Sequence, residues 1–379
     1  TTPQYTPGAV FLIPYAHDAV VVLERNYSMT SLHGSWPQQH IDYPKIGSGN
    51  FVGGTYDWIR NTVWLAPWTA RTFVKIDVAT RQMQGVTTTS NAFTGAVFDG
   101  SSVFFAGPAG LSILNVSSNA ITTLSQDQLN PSSTDHFKQL TGIAYDGRSV
   151  WVTAEYGSAT QAVRVSRRGT TGVLNQNGFD SSGALMRSWS KPFARDSTFD
   201  AVAYDLPAPS PLPASYNTDY SAIFDGHGYI WLFRMLAGPP LRVNINSGTM
   251  MNVTGMVGDV DAFKVYFGID GAFSGAVYDG KRYIWLVPHH GRDKVRVDVT
   301  TGMMAVYDRW GSQYGGRGGM FVGGAFDGRN VWYCPFGALT IAIHPSSGFQ
   351  PTHDVTFPLS GKGAGDTNYC GIVFDGGHS

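Results

Sequence analysis

The residues most able to bind a ligand are aromatic, basic and imidazole side chains that stand near the ends of predicted strands. Trp68 with Arg71, and the adjacent His289 and His290, are two examples. Aromatic rings stack on the apolar faces of sugars, while arginine and histidine hydrogen-bond to sugar hydroxyl groups. The predicted ligand-binding residues are Tyr15, His17, Trp36, Trp68, Arg71, Glu155, Tyr156, Arg234, His289, His290, Arg292, Trp310 and Tyr369.

Conventional catalytic motifs are missing from the sequence. It contains no Gly-x-Ser-x-Gly elbow, no phosphate-binding Gly-x-x-x-x-Gly-Lys loop and no His-Glu-x-x-His pair. Glutamate occurs only at Glu24 and Glu155, so paired carboxylates for glycoside chemistry would have to be mostly aspartates. This scarcity counts against a glycosidase or lyase, and we predict a non-catalytic protein without a cofactor.

The adjacent histidines do not by themselves indicate a metal site. Neighbouring residues at a strand end are expected to point apart, and no third and fourth ligand is identifiable for His289 and His290. Asp259 and Asp261 lack the loop spacing of an EF-hand. We therefore predict no metal.

The two cysteines, Cys334 and Cys370, are too few for a disulfide scaffold or a cysteine zinc site. Cys334 ends a predicted second strand, and Cys370 precedes a predicted first strand in the neighbouring unit. Both ends lie on the same face, so the sequence leaves open a disulfide between them or two free buried thiols.

One repeated unit must position all of these residues. It consists of a small residue, three mostly apolar residues ending in an aromatic, an aspartate, usually a glycine, and then a strand containing Trp or Phe. Successive aspartates are 42 to 54 residues apart, except for one gap of 79, and periods of 40 to 50 with strand chemistry indicate propeller blades. The repeated aspartates are Asp57, Asp99, Asp146, Asp225, Asp279, Asp327 and Asp375.

The two ends of the chain complement each other. Residues 371–376 form a first strand and turn with nothing after them, whereas 9–24 read as a second and third strand with no first strand before them. Sharing one blade would close the ring and remove the open sheet edge. We predict a single all-β domain over 1–379, a seven-bladed β-propeller of four-stranded antiparallel blades in which 371–376 joins 9–24.

One long insertion interrupts the repeat at about 169–218, between two units that differ from the others. Where most units carry proline after the second strand, these two carry Glu155 and Arg234. Two interpretations stay open. In the first, Glu155 and Arg234 belong to a ligand-binding edge that the insertion partly covers. In the second, they form a surface ion pair, and the insertion is a loop without a function of its own.

The repeat resembles the kelch-type propeller repeat, in which a strand, an Asp/Gly turn and a Tyr/Trp strand precede an apolar-x-apolar-Asp segment ending in Thr-Gly. Residues 295–302 and 74–80 carry that later segment. The chain departs from the kelch pattern because the double glycine at the end of the second strand is absent, and Pro14, Pro67 and Pro288 stand near there instead. The resemblance implies a propeller fold, which hosts enzymes, lectins and scaffolds alike.

The repeat also predicts which face of the propeller binds a ligand. All the Asp-Gly turns fall on one face, while the loops after second strands and before first strands collect on the other and vary in composition. Variable loops on a rigid scaffold commonly carry function, so the predicted ligand-binding residues belong to that second face. The small residue four before each aspartate is expected at the crowded axis, where glycine permits close approach.

Charge and composition limit the partners. Lys+Arg is 26 and Asp+Glu is 27, so the basic excess of a nucleic-acid-binding protein is absent. No apolar run approaches a membrane span, and the low charged fraction of 14% with 46 glycines favours an extracellular or particle-surface location. Three functions remain: a module that binds glycans or a protein partner, a structural or attachment component of a viral or other extracellular particle, or a hydrolase or oxidase with a site over the central channel.

Overall fold

The structure is a computed structural model of the 379-residue chain. It describes residues 8–15, 17, 19–24, 26–32, 36, 49–88, 90, 92–129, 139–156, 159–167, 199–205, 220–234, 240–253, 256–257, 273–291, 293–310, 319–338, 340–347, 353–356 and 369–376. Only the backbone is described for 154–156, 159–160, 199–205, 220, 234, 256–257, 307–309 and 353–356.

Seven sheets, numbered here as blades 1 to 7, contain all the described strands, and each has four antiparallel strands at its centre. Blade 1 holds β1 (Val10–Pro14), β2 (Val20–Leu23) and β3 (Met29–Leu32); blade 2 holds β4 (Phe51–Asp57), β5 (Thr62–Pro67), β6 (Thr72–Asp77) and β7 (Met83–Thr87). Blade 3 holds β8 (Gly95–Phe98), β9 (Ser102–Gly107), β10 (Gly110–Asn115) and β11 (Ile121–Leu124), followed by the short helix α1 (Gln126–Leu129).

The remaining blades follow in chain order. Blade 4 holds β12 (Gln139–Tyr145), β13 (Ser149–Tyr156), β14 (Ala159–Arg167) and β15 (Phe199–Asp205); blade 5 holds β16 (Tyr220–Phe224), β17 (Tyr229–Arg234), β18 (Leu241–Asn244) and β19 (Met250–Asn252). Blade 6 holds β20 (Met256–Val257), β21 (Phe273–Tyr278), β22 (Tyr283–Pro288), β23 (Asp293–Asp298) and β24 (Met304–Arg309). Blade 7 holds β25 (Phe321–Phe326), β26 (Asn330–Pro335), β27 (Thr340–Pro345) and β28 (His353–Thr356), and β29 (Tyr369–Phe374) returns to blade 1.

The ring closes by pairing the two ends of the chain. Strand β29 runs antiparallel to β1, with Val10 opposite Phe374. At the end of this pair, Asp375 N donates to Ala9 O (3.1 Å), and Ala9 N donates to Asp375 Oδ1 (2.8 Å). The inner strands contact one another in the order β29, β4, β8, β12, β16, β21, β25 and back to β29. The predicted seven-bladed propeller and its shared blade are confirmed.

Two blades show details that the repeat alone does not contain. Strand β20 adds a short fifth strand to blade 6, parallel to β24, with Met256 opposite Met304. Within the predicted insertion at about 169–218, residues 199–205 form β15, the outer strand of blade 4. The rest of that insertion, 168–198 and 206–219, lies outside the described residues. No described helix is long and apolar enough to cross a membrane.

In blades 4, 5 and 7 the repeated aspartate fixes both the turn and the tryptophan behind it. Asp225, fully buried, accepts hydrogen bonds at Oδ1 from His227 N (2.7 Å) and Tyr229 N (3.1 Å). Its Oδ2 accepts from Trp231 Nε1 at 2.8 Å. The conformational tolerance of Asp and Gly is therefore only part of the reason for the motif, because the carboxylate also satisfies buried donors. The same pair of roles links Asp146 to Trp151 and Asp327 to Trp332.

Replacing Asp225 with alanine is expected to lower the free energy of unfolding by about 3 kcal/mol, because it leaves buried donors unsatisfied. Urea unfolding followed by tryptophan fluorescence measures this loss. Asp77→Ala is the matched control, since Asp77 also accepts from a turn, at Thr80 N (2.7 Å), but Asp77 is only partly buried and this hydrogen bond is exposed to solvent. A loss for Asp225→Ala no larger than that for Asp77→Ala would contradict the proposed role of the buried carboxylate.

Candidate functional site

A pocket of about 320 Å³ surrounds the propeller axis on the face opposite the Asp-Gly turns. Its position follows from the fold, because the lining residues lie at the start of inner strands or directly after second strands. Every blade contributes at least one side chain. The lining residues are Tyr15, Val52, Trp68, Thr94, Gln139, Thr141, Ser221, Phe233, Ser274, His289, Val322, Phe336 and Cys370.

The floor of the pocket is built from a repeated three-residue pattern at the start of the inner strand. An apolar residue packs into the core, the next residue lines the pocket, and a glycine follows at the axis. Phe321, Val322 and Gly323 show this order in blade 7. The glycine backbones approach one another around the ring, and Gly323 faces the Cα of Gly371. The predicted packing role of these glycines is confirmed.

Two aromatic residues of the wall are positioned by one connection between blades 1 and 2. Asn50, which is 4% exposed, donates its backbone N–H to Tyr15 O at 2.8 Å and its side-chain amide to the same oxygen at 3.0 Å. Trp68 N then donates to Asn50 O at 2.7 Å. A side chain at Gly49 would collide with the Tyr15 ring, so glycine there is a condition of the ring's position.

The connection between blades 6 and 7 repeats this geometry. Met320 N donates to His289 O at 2.7 Å, and Phe336 N donates to Met320 O at 3.0 Å. A side chain at Gly319 would collide with the His289 ring. The sequences Gly-Asn-Phe-Val-Gly-Gly at 49–54 and Gly-Met-Phe-Val-Gly-Gly at 319–324 are the local signal of the shared structure. Comparing them would have drawn attention to Phe336, which the sequence analysis missed.

Three of the predicted ligand-binding residues, Tyr15, Trp68 and His289, line the pocket. His17 lies beside them and stacks on Tyr369, with ring centroids 5.2 Å apart and an interplanar angle of 27°. Tyr369 is only 2% exposed, so its ring supports the wall from behind.

Other predicted residues lie away from the pocket wall. Trp36 stacks on Phe51, with centroids 5.6 Å apart, and packs against the core between blades 1 and 2. Trp310 is 7% exposed and meets Tyr333 edge-on at 5.2 Å in the core between blades 6 and 7. The Trp310 ring therefore offers no open stacking face, because core packing covers it. Arg71 is exposed, and its carbonyl oxygen accepts from Thr88 N at 3.2 Å.

Four predicted residues are described in part or lie outside the described residues. Glu155 and Tyr156 belong to β13 and Arg234 to β17, and only their backbones are described. Glu155 is opposite Gln139 in the sheet, which places its backbone beside the pocket. Arg292 lies outside the described residues.

The two adjacent histidines contact each other, contrary to the prediction that they point apart. Their ring centroids are 4.3 Å apart with an interplanar angle of 73°. The strand alternation behind that prediction does not apply, because β22 ends at Pro288. Within the described part of the chain, no group of three or more His, Cys, Asp or Glu residues is arranged to hold a metal ion.

Cys334 and Cys370 are buried free thiols, so the structure shows the second of the two states that the sequence left open. The Cys334 thiol donates to Gly371 O at 3.1 Å. Burial raises the pKa of Cys370 to about 12 and also raises the pKa of Cys334. Both groups are therefore held as neutral thiols at physiological pH.

A reagent that reacts with thiolates is expected to label neither cysteine in the folded protein and both after unfolding in urea. Burial excludes the reagent and suppresses the thiolate that it attacks. The measurement is a colorimetric thiol count before and after unfolding, without added reductant. Fewer than two thiols after unfolding would indicate a disulfide between Cys334 and Cys370 and would contradict the structure.

Aromatic rings and hydroxyl or amide groups dominate the described pocket lining, together with the His289 imidazole. None of these lining residues is Asp, Glu, Lys or Arg. Partial burial, and secondarily the nearby Cys370, raises the pKa of Tyr15, so its phenol is neutral at physiological pH. The pocket is suited to a neutral ligand with apolar faces and hydrogen-bonding groups.

Comparisons with known proteins agree on the fold alone. No protein-family model matches the sequence, and no curated protein sequence matches it. A Bacteroides uniformis protein with a provisional 6-phosphogluconolactonase assignment aligns over 97% of this chain and 99% of its own, with 10% identity and a TM-score of 0.57. Apo AztD from Citrobacter koseri aligns over 98% and 99%, with 12% identity and a TM-score of 0.53. A chain of the nidogen/laminin complex aligns over 97% and 98%, with 9% identity and a TM-score of 0.49. The seven blades of the structure, and the two likenesses with TM-scores of 0.57 and 0.53, define the class of protein as a seven-bladed β-propeller.

Proposed function

We propose that this chain is a non-catalytic binding module whose axial pocket takes an uncharged carbohydrate. The observation that carries the proposal is the composition of the described pocket lining: aromatic side chains, hydroxyl and amide groups, and no Asp, Glu, Lys or Arg. Sugars combine apolar C–H faces with many hydroxyl groups, so aromatic stacking and neutral hydrogen bonds match their chemistry.

The volume and the rigidity of the pocket support the same function. About 320 Å³ lies at the lower end of the range of roughly 300–1,000 Å³ that small-molecule sites occupy. Tyr15 and Trp68 are half-buried and held by backbone hydrogen bonds to Asn50, so their rings need little ordering when a ligand arrives. A pre-formed wall lowers the entropic cost of binding.

A glycan array followed by calorimetry with the strongest glycan tests the proposal. Trp68→Ala is expected to weaken binding by about tenfold or more, because the stacking of the indole ring on the sugar and the area buried by that ring are lost together. Trp58→Ala is the matched control, since Trp58 is 52% exposed in the turn after Asp57, on the opposite face. Absence of any bound glycan, or equal loss in both variants at unchanged melting temperatures, would contradict the proposal.

A second candidate function is docking to a protein partner or a larger extracellular particle. Trp58 and Ile59 are 52% and 60% exposed and adjacent on the turn face, where other units carry glycine after the aspartate. Adjacent exposed apolar side chains favour a contact with another protein. Native mass spectrometry of material from the source tests this function, and an unassembled chain there would count against it. We also propose that the chain acts outside the cell or on a particle surface, and that its repeat is of the kelch-like type.

A further inference from the structure

The pocket floor is chemically divided between neighbouring blades. Blades 3 to 6 each contribute a hydroxyl group to the lining, in the order Thr94, Thr141, Ser221 and Ser274. Gln139 adds an amide from blade 4. Because the inner strands β8, β12, β16 and β21 follow one another around the axis, these polar groups form one continuous arc.

The rest of the ring is apolar. Blades 7, 1 and 2 contribute Val322, Cys370 and Val52, and the Cys370 thiol is neutral. Aromatic side chains of the same three blades stand beside them, and the rings of Tyr15 and Phe336 are 6.5 Å apart. The apolar arc is therefore continuous as well, since β25, β29 and β4 are neighbours around the axis.

One apolar aromatic residue lies within the polar arc, but it contributes little surface to the pocket. Phe233 lines the pocket from blade 5, within the polar arc. It is only 3% exposed and lies parallel to Trp231, at a centroid distance of 6.4 Å. Most of its surface is thus committed to the core, and it presents little area to a ligand.

Two of the four hydroxyl groups of the polar arc, those of Thr94 and Ser274, are oriented by the following blade. Thr94 Oγ1 donates to Leu140 O at 2.7 Å, and Ser274 Oγ donates to Phe321 O at 2.8 Å. A hydroxyl group has one proton and two lone pairs, so an oxygen whose proton is already donated can only accept from a ligand. These two positions therefore select ligand groups that donate, as sugar hydroxyl groups do.

This inference rests on the proposed function and deepens it. We infer that the ligand is a neutral sugar that carries an apolar substituent, such as the methyl of an acetamido group or of a 6-deoxy sugar. Its hydroxyl groups donate to the polar arc of blades 3 to 6, and the substituent packs against the apolar arc of blades 7, 1 and 2. A plain hexose would leave a hydroxyl group facing the Val322 and Val52 side chains, which offer it no hydrogen-bond partner.

Matched sugar pairs test the inference by calorimetry. N,N′,N″-Triacetylchitotriose carries an acetamido group where cellotriose carries the 2-hydroxyl group, and methyl D-fucoside lacks the 6-hydroxyl group of methyl D-galactoside. Wild-type protein is expected to bind the substituted member of at least one pair about tenfold more tightly, the difference that buried methyl groups provide. The pair that shows the preference identifies which substituent the apolar arc accepts.

Two substitutions address the two arcs separately. Val322→Thr keeps the side-chain shape and adds a hydroxyl group to the apolar arc, so it is expected to reduce the preference for the substituted sugar. Thr94→Val removes an acceptor and is expected to weaken both members of the preferred pair by about five- to tenfold, while Thr94→Ser retains binding. Melting temperatures show whether each variant is folded, and the wild-type preference does not depend on any variant.

The outcomes separate the inference from the proposed function. Equal binding of both members in each pair, a preference for the unsubstituted members, or array binding confined to unsubstituted or charged glycans would overturn the inference while a glycan-binding function remained. Absence of binding to both pairs and to every glycan on the array would overturn the proposed function itself.

Discussion

Gly371→Ala is expected to lower the free energy of unfolding by about 3–5 kcal/mol, through backbone strain and overpacking together. Gly371 has a φ of 146°, which L residues rarely adopt, and an added Cβ would lie 2.6 Å from Gly53 Cα. Its neighbour there is backbone of β4, the next inner strand of the ring, which cannot rotate away as a side chain could. Chemical unfolding measured by fluorescence or circular dichroism gives the loss.

Gly100→Ala is the matched control for this substitution. Gly100 also has a positive φ, 98°, but nothing lies within 4 Å of the position that a Cβ would take. The control therefore reports backbone strain alone, at roughly 1–2 kcal/mol. Equal losses at the two positions would show that crowding at the axis contributes nothing, and the close approach of the inner strands would be contradicted.

Removing residues 369–379, and with them β29, is expected to abolish cooperative folding. The deletion exposes one edge of β1 and removes the inner-strand contacts that β29 makes with β25 and β4. It also removes the Asp375 carboxylate that accepts from Ala9 N. An open edge beside a broken core promotes aggregation, so insolubility or a non-cooperative urea transition is the expected result.

A circular permutant separates the pairing of β29 from the mere presence of its residues. Joining residue 379 to residue 1 and opening the chain in the exposed turn between Ser117 and Ser118 keeps every described strand. This permutant is expected to fold with near-native stability, because β29 can still pair with β1. A stable, cooperative deletion variant, or a permutant that fails as the deletion does, would contradict closure by strand pairing.

Much of the fold could be predicted because the repeat has two physical causes that act in every blade. The aspartate must satisfy the donors of a turn, as Asp146 and Asp327 do, and the residue four positions earlier must be small at the axis. Both requirements leave residue types at fixed spacing. The complementary chain ends then predicted the closure between Val10 and Phe374.

The pocket was harder to predict because burial depends on neighbouring blades. Trp310 and Trp68 each directly follow a strand. Yet Trp310 packs on Tyr333 in the core, while Trp68 lines the pocket. Thr94 precedes the axial Gly95, and Phe336 follows Pro335 as Trp68 follows Pro67, so both positions recur in the repeat. That they line a pocket follows from the junctions between blades. Local pattern identified the face that carries the pocket, and the three-dimensional packing distinguishes residues of the pocket wall from residues of the core.

The proposed binding mode is tested most directly by a crystal structure of the protein with the strongest array glycan bound. We predict a sugar in the axial pocket, with its apolar substituent beside Val322 and Tyr15 and its hydroxyl groups within hydrogen-bonding distance of Thr94 Oγ1 and Ser274 Oγ. A sugar bound on the turn face, on the outer strands, or in the pocket with its hydroxyl groups against Val322 would contradict it.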